Sequence, residues 1–575
     1  MVENGTTASA NGIQGQLIWS PSDVPSTSMD VFRRTINDRF SLNLGTYDEL
    51  WEWSCANLND FWTAVWDHTG VISSIKADQA IADNAPIYPP PLWFQGARLN
   101  FAENLLRHGS PTAPTSSSSR IAVIQSTEVD TTTGELEESS ITYGQLYALT
   151  SRAAAALRSL GVGINDCIAS YSANNIENLV AFLAASSIGA VWTSAAADFG
   201  PEGVLERLRT VRPKVLFSVN AVRYNGKVHD HLAKLKGVVR GWRKEGRRTS
   251  RGTSGAPGMT SSPGSVESQL HFEQLDFNHP LWILFSSGTT GKPKAITHRA
   301  GGMLLQLSKE HLIHGGLTPD DVFFQHTTTG WMIAVDFGRK VWRYNIRHFA
   351  AYLGALEKSG YQVKANHSNL KVRQLLSTGS PLRAELYPYI HETIGSDILI
   401  GSITGGTDLC SLFAGHNTAL PVRAGEIQAR NLGMNIAVYD SDSGTEVTAP
   451  IRDGILNPGG IRFGSSEIYE LLESPENPLA TSIVDSLVVA LKTPTGDDEV
   501  VCLFLVLSPN IRIDLEGFKK TLVSLIRTKR SARHVPKFIE MVSDIPKTLN
   551  GKKVEVPVKK IINGASWMPS TKRRC

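Results

Sequence analysis

Between Thr142 and Val219 the chain repeats one unit, a short apolar run followed by a turn and an amphipathic helical stretch. Thr142 with Gln145 three residues on makes a capping box. Leu146, Leu149, Ala153, Leu157 and Leu160 then share one helical face, and Gly161 ends it. Strands are predicted at Cys167–Tyr171, Ala190–Ser194 and Lys214–Val219, with helices over Asn175–Ser187 and Gly203–Thr210 between them. Helices between successive strands imply parallel pairing through right-handed crossovers, so this region predicts an α/β sheet. Ala197-Asp198-Phe199-Gly200 falls at a strand-to-helix join, where Asp198 serves equally as a turn residue or a helix cap.

The next apolar run, Leu281-Trp282-Ile283-Leu284-Phe285, opens into Ser286-Ser287-Gly288-Thr289-Thr290-Gly291-Lys292-Pro293-Lys294. A buried strand leading into small, hydroxylated and cationic residues gathers backbone N–H groups, O–H donors and ammonium charge, which is what a polyphosphate needs. The bland alternative is a solvated turn; the preceding strand and Pro293 between two lysines favour the phosphate reading. The loop is not a P-loop. That motif has four residues between Gly and Gly-Lys and then Ser or Thr, whereas only Thr289-Thr290 separate Gly288 from Gly291 and Pro293 follows Lys292. A helix from about Gly302 to His314 is predicted next. Three more glycine-bearing loops follow apolar strands. Thr327-Thr328-Thr329-Gly330-Trp331-Met332 comes after a strand from Val322, Ser377-Thr378-Gly379-Ser380-Pro381-Leu382 after Val372–Leu376, and Ser402-Ile403-Thr404-Gly405-Gly406-Thr407-Asp408 after Ile398–Ile400. Loops at the carboxyl ends of parallel strands line one crevice.

The 575 residues, 41% hydrophobic and 19% charged, are enough for a large core and more than one domain. A net charge of +3 with no basic stripe among aromatics argues against nucleic acid as a partner. Five cysteines, Cys55, Cys167, Cys410, Cys502 and Cys575, lack metal-binding spacing and point to a reducing, cytoplasmic setting. Met1 to Gly15 has neither a basic start nor an apolar core, so no secretory signal is expected, and no apolar run is long enough to cross a membrane. Trp51, Trp53, Trp62, Trp66 and Trp93 cluster early; the spacing of Trp62 and Trp66 puts both on one helical face, read as core. Pro111–Arg120 reads as a surface loop, and residues 1–16 and 246–268 as disordered by composition.

The clamp, the three glycine loops and Pro546-Lys547-Thr548-Leu549-Asn550-Gly551-Lys552-Lys553 occur in an order that resembles the adenylate-forming enzymes, the acyl-CoA synthetase and luciferase superfamily. Leu99–Leu106, Asn457–Gly464 and Arg533-His534-Val535-Pro536 resemble its short-chain members, and the similarity covers about Leu17 to Lys560. The resemblance implies an α/β fold, a large N-terminal adenylating domain with parallel-rich sheets over residues 17–452 and a small α+β lid domain over 453–575. It also implies ligation of a short acid, acetoacetate, to CoA at the expense of ATP, with Mg2+ as the ion. By the same resemblance Thr289, Thr290, Gly291 and Lys292 hold the ATP phosphates and Gly379, Ser380 and Pro381 border the adenine. Thr407 orients phosphate as a catalytic residue beside Asp408 on the magnesium, and Trp331, Gly405 and Gly406 wall the acyl pocket. Arg462 contacts phosphate or ribose, Arg533 with the loop near Lys227 meets the CoA phosphates, Asp453 is the hinge aspartate, and Lys552 enters from the lid to stabilise charge on the α-phosphate. Acetyl-CoA synthetases carry tryptophan where Gly405 stands, so its loss makes room for a longer acyl group.

Two stretches depart from the family pattern. After Met332 the chain passes from Ile333-Ala334-Val335-Asp336 to Phe337–Trp342 without the apolar helix and strand of the pattern, which predicts a sheet short of one strand. Between Val447 and Arg452-Asp453-Gly454 a segment bearing a ribose-binding aspartate is absent, and Pro450-Ile451 replaces Gly-Arg before Asp453. These departures keep a second expectation open, a non-catalytic or mis-spliced remnant acting at most as a nucleotide-binding or interaction protein.

Overall fold

The computed structural model describes residues 15–564 except 87, 128, 130–132, 135, 225, 245–268, 287–292, 326–342, 350–352, 354–355, 358, 379–381, 383, 385, 407, 438–445, 447–467, 470, 473–476, 494–498, 509–513, 531 and 547–554.

Three helices open the chain, Ser28–Phe40, Tyr47–Ala56 and Leu58–Thr69. The second starts at a capping box in which Glu49 N–H donates to Thr46 Oγ1 and Thr46 N–H to Glu49 Oε2, and the third stops at Gly70 with φ 62°. Trp62 and Trp66 are buried as the helical spacing predicts. Trp66 lies 4.8 Å from Phe94 between ring centroids, and Phe94 lies 4.7 Å from Phe277, which leads into the strand Pro280–Ser286. Each such ring removed from water contributes roughly 1.5–3 kcal/mol, so the aromatic cluster ties the helical start to the central sheet.

That sheet has the strand order Lys294–Arg299, Pro280–Ser286, Val191–Ala196, Cys167–Ser172, Val215–Ser218. Its last four members are mutually parallel, with the helices Ile176–Ser187 and Pro201–Val211 as crossovers. The capping box at Thr142 forms as predicted, Gln145 N–H donating to Thr142 Oγ1 and Thr142 N–H to Gln145 Oε1. Lys294–Arg299 pairs antiparallel with Pro280–Ser286, a hairpin absent from the sequence reading, which passes straight from the loop to a helix. The helix itself runs over Ala300–Ser308 and continues as a π-turn through Lys309–His314. The Pro111–Arg120 stretch is not all loop, since Thr115–Ser118 forms one helical turn.

The second sheet is wholly parallel, in the order Asp321–Gln325, Arg343–Phe349, Val372–Thr378, Leu399–Ser402. The expectation of a missing strand is therefore corrected: Arg343–Phe349 occupies an interior place, paired on both sides. Ladder pairing uses backbone groups, so Arg-Tyr-Asn-Ile-Arg-His-Phe, with three residues of high β-propensity, forms a strand despite its charge. Leu375, Leu376, Leu386, Tyr387, Ile390 and Ile400 make the core of this sheet, and the N-terminal strand Leu17–Trp19 closes on it by pairing with Val422–Arg423.

Beyond the undescribed 447–467 a separate α+β core forms around Leu472, Val488, Leu503, Leu505, Phe518 and Leu522. It packs the strands Ile483–Lys492, Glu499–Leu507 and Phe538–Met541 with the helix Leu515–Lys529. Among the described residues no helix is long and apolar enough to cross a membrane.

Candidate active site

The stretch expected to hold phosphate lies between the two strands of the antiparallel hairpin, with Ser286 opposite Lys294 at its base. Thr289, Thr290, Gly291 and Lys292 themselves lie outside the described residues. Four residues below the base, Trp282 and His298 face one another in register. Trp282 is fully buried and donates its indole N–H to His298 Nδ1 at 3.1 Å. Indole is a donor only, so Nδ1 accepts and the ring proton of neutral His298 sits on Nε2. Nε2 lies 2.9 Å from the carbonyl oxygen of Asp408 and donates to it. Burial holds the imidazole below its ordinary pKa, which favours this neutral tautomer.

Asp408 stands at the tip of a second hairpin, Thr404–Gly406 with Ser411–Gly415. Cys410 N–H donates to Gly406 O at 3.0 Å, and Cys410 adopts φ 53° to close the turn. The strands come so close that a Cβ on Gly405 would overlap Ser411 O. Buried Glu310, on the π-turn that follows the clamp hairpin, accepts from Leu412 N–H at 2.9 Å and Ser411 Oγ at 2.8 Å. One segment, 280–314, thus grips the Asp408 hairpin at tip and stem. Asp408 remains exposed, so its carboxylate is available while its backbone is held.

The carboxyl ends of the second sheet lie side by side at Gln325, Phe349, Thr378 and Ser402, and Ile403 N–H donates to Ser377 O at 2.9 Å. The chain leaves this one edge after Gln325, Thr378 and Ser402, the three points at which the sequence predicts glycine-bearing loops to begin. Trp331, Gly379, Ser380, Pro381, Thr407, Asp453, Arg462 and Lys552 lie outside the described residues. Arg533 belongs to a short 3-10 turn, Ala532–His534, and Lys227 is exposed on the hairpin Ala221–Tyr224 with Lys227–Asp230. The end of the helix Leu515–Lys529 reaches the Ala197–Gly200 turn, where a Cβ on Gly200 would meet Thr528 O. Arg207 stacks over Phe199 and Phe285, linking that turn to the clamp strand. His298 and Glu310 escaped the sequence reading; only the register of His298 opposite Trp282 could have marked one of them, and that register is not written in either strand alone.

Residues 114–338 match the family model for AMP-binding enzymes, and 47–105 that for the acetyl-coenzyme A synthetase N-terminus. The chain is 35% identical to the acetoacetyl-CoA synthetase of Danio rerio, over 96% of this chain and 94% of that protein, and 36% identical to the one of Rattus norvegicus with the same coverage. The Danio match runs over 657 positions, 82 more than the 575 residues here, in keeping with shortened internal segments. The structure of acetoacetyl-CoA synthetase from Streptomyces lividans is similar with a TM-score of 0.68, 29% identity and 96% of each chain covered.

Proposed function

The chain belongs to the acetoacetyl-CoA synthetase family, and from that membership we propose that it joins acetoacetate to CoA through an acyl-adenylate. A carboxylate oxygen of acetoacetate attacks the α-phosphorus of ATP and pyrophosphate leaves; the CoA sulfur then attacks the activated carbonyl and AMP leaves. The observation that carries this reading is the span of the similarity, which covers 96% of this chain rather than a nucleotide-binding fragment of it.

In this reading Thr289, Thr290, Gly291 and Lys292 hold the phosphates, Gly379, Ser380 and Pro381 border the adenine, Asp453 serves the hinge, and Arg462 and Arg533 meet ribose, phosphate or CoA. Trp331, Gly405 and Gly406 shape the acyl pocket, while Thr407 orients the phosphate and Lys552 stabilises its developing charge. Asp408 suits Mg2+, because an exposed carboxylate on an anchored backbone can ligate without the loop reorganising. The bound ion would neutralise phosphate charge. The partners are small molecules, and the scattered cysteines favour the cytoplasm.

Purified protein should exchange labelled pyrophosphate into ATP only when acetoacetate is present. Equal stimulation by acetate or by a long-chain fatty acid would overturn the substrate, and no exchange with any acid would overturn the ligase reading.

A further inference from the structure

The Trp282–His298–Asp408 chain connects two loops that the ligase reading uses separately. Its upper end is the hairpin carrying the phosphate clamp, and its lower end is the tip carrying Asp408. His298 sits about 13 Å along the strands from the Ser286–Lys294 pair, so it does not reach the phosphates itself. It is buried, held on one nitrogen by an indole and bound through the other to the Asp408 carbonyl. Trp282 leaves no freedom in the tautomer, and a neutral ring presents one donor and one acceptor in fixed directions.

We propose that His298 is a positioning residue: with Trp282 as its orienter, it holds the backbone of Asp408 against the hairpin of Pro280–Ser286 with Lys294–Arg299 and so fixes where the exposed Asp408 carboxylate stands relative to that hairpin, which in the ligase reading keeps the ion ligand in place for the nucleotide phosphates. The kinetic consequence rests on the ligase reading; the mechanical one does not. A hydrophobe at 298 keeps the volume and removes both bonds. Glutamine at 298 offers an amide oxygen for Trp282 and an amide N–H for Asp408, and so restores the connection. Trp282→Phe leaves His298 in place and removes the fixed tautomer.

The test is hydrogen–deuterium exchange on the full-length protein, with half-reaction kinetics on the same samples. His298→Leu should speed exchange of the amides in residues 404–412 about tenfold while leaving Val372–Thr378 unchanged, and His298→Gln should stay close to wild type. The Leu variant should raise KM for ATP about tenfold, with KM for acetoacetate and transfer from preformed acetoacetyl-adenylate to CoA unaltered. Trp282→Phe should shift the same amides by a smaller factor. Unchanged exchange at 404–412, equal acceleration in both sheets, or a Gln variant that behaves like Leu would each overturn the proposal. If wild-type protein proves to have no ligase activity, the function assignment fails and the exchange comparison still decides the role of His298.

Discussion

Lys309 is a fully buried ammonium that donates to Leu432 O at 2.7 Å and lies 5.2 Å from the centre of the Trp62 ring. Burial pulls its pKa down to about 8, against the opposing pull of Glu310 and Cys55. Between that value and the ordinary lysine value near 10.5 the unfolded chain holds the proton and the folded chain does not, so this site stabilises the fold as pH rises through the window. Below pH 8 both states are protonated and the burial cost stands. The unfolding free energy of wild type relative to Lys309→Met should therefore grow by about 2 kcal/mol from about pH 7.5 to about pH 9.5, measured by urea denaturation. A flat difference would show that Lys309 does not titrate in that range. Gly405 gives a second prediction at this scale. The sequence comparison reads its missing indole as acyl-pocket volume, whereas the hairpin shows that any Cβ there meets Ser411 O. Gly405→Trp should accordingly cost about 1–3 kcal/mol of stability and depress activity with acetate and acetoacetate together. A clean switch of preference to acetate, with an unchanged melting temperature, would return the residue to a pocket role alone.

The helix Tyr143–Ser159 shows how far an element can be legible in sequence. Its cap, apolar face and stop signal are local and independent of the rest of the chain, so they could be read from residues within one window. Thr142→Ala removes an acceptor for Gln145 N–H and should cost about 1 kcal/mol in thermal or urea unfolding; a loss within error would mean that tertiary packing alone sustains that terminus. The strand Arg343–Phe349 is the opposite case. Its residues carry charge, so an apolar-run criterion passes over them, and its place is set by two neighbouring strands that offer unpaired backbone groups. The Lys294–Arg299 strand is hard to read for a related reason: Lys-Ala-Ile-Thr-His-Arg has little apolar alternation, and its pairing with Pro280–Ser286 is set by register across residues 287–292.

At the scale of the whole molecule, the helix Leu515–Lys529, which packs into the core around Leu472 and Val488, ends against the turn before Pro201. The proposed ligation assigns Lys552 to adenylation and not to thioester formation. Lys552→Ala should abolish acetoacetate-dependent pyrophosphate exchange and spare transfer from preformed acetoacetyl-adenylate to CoA, while Lys553→Ala should change neither step appreciably. Equal slowing of both steps by both substitutions would make Lys552 a solvated surface charge.

The amino-acid sequence determined by itself the α/β class, the parallel first sheet, the aromatic start and the order of the loops on which the chemistry is assigned. These follow from periodicity, caps and short motifs, whose physical causes act over a few neighbouring residues. Only the tertiary structure decided that a charged segment completes the second sheet, that Pro280–Ser286 and Lys294–Arg299 pair as an antiparallel hairpin, and that His298 and Glu310 bind the hairpin of Asp408 at tip and stem. The first two depend on strand register and the third on contacts about a hundred residues apart, as in the 110-residue separation between His298 and Asp408, and a hydrogen bond between such residues leaves no trace in the spacing of either.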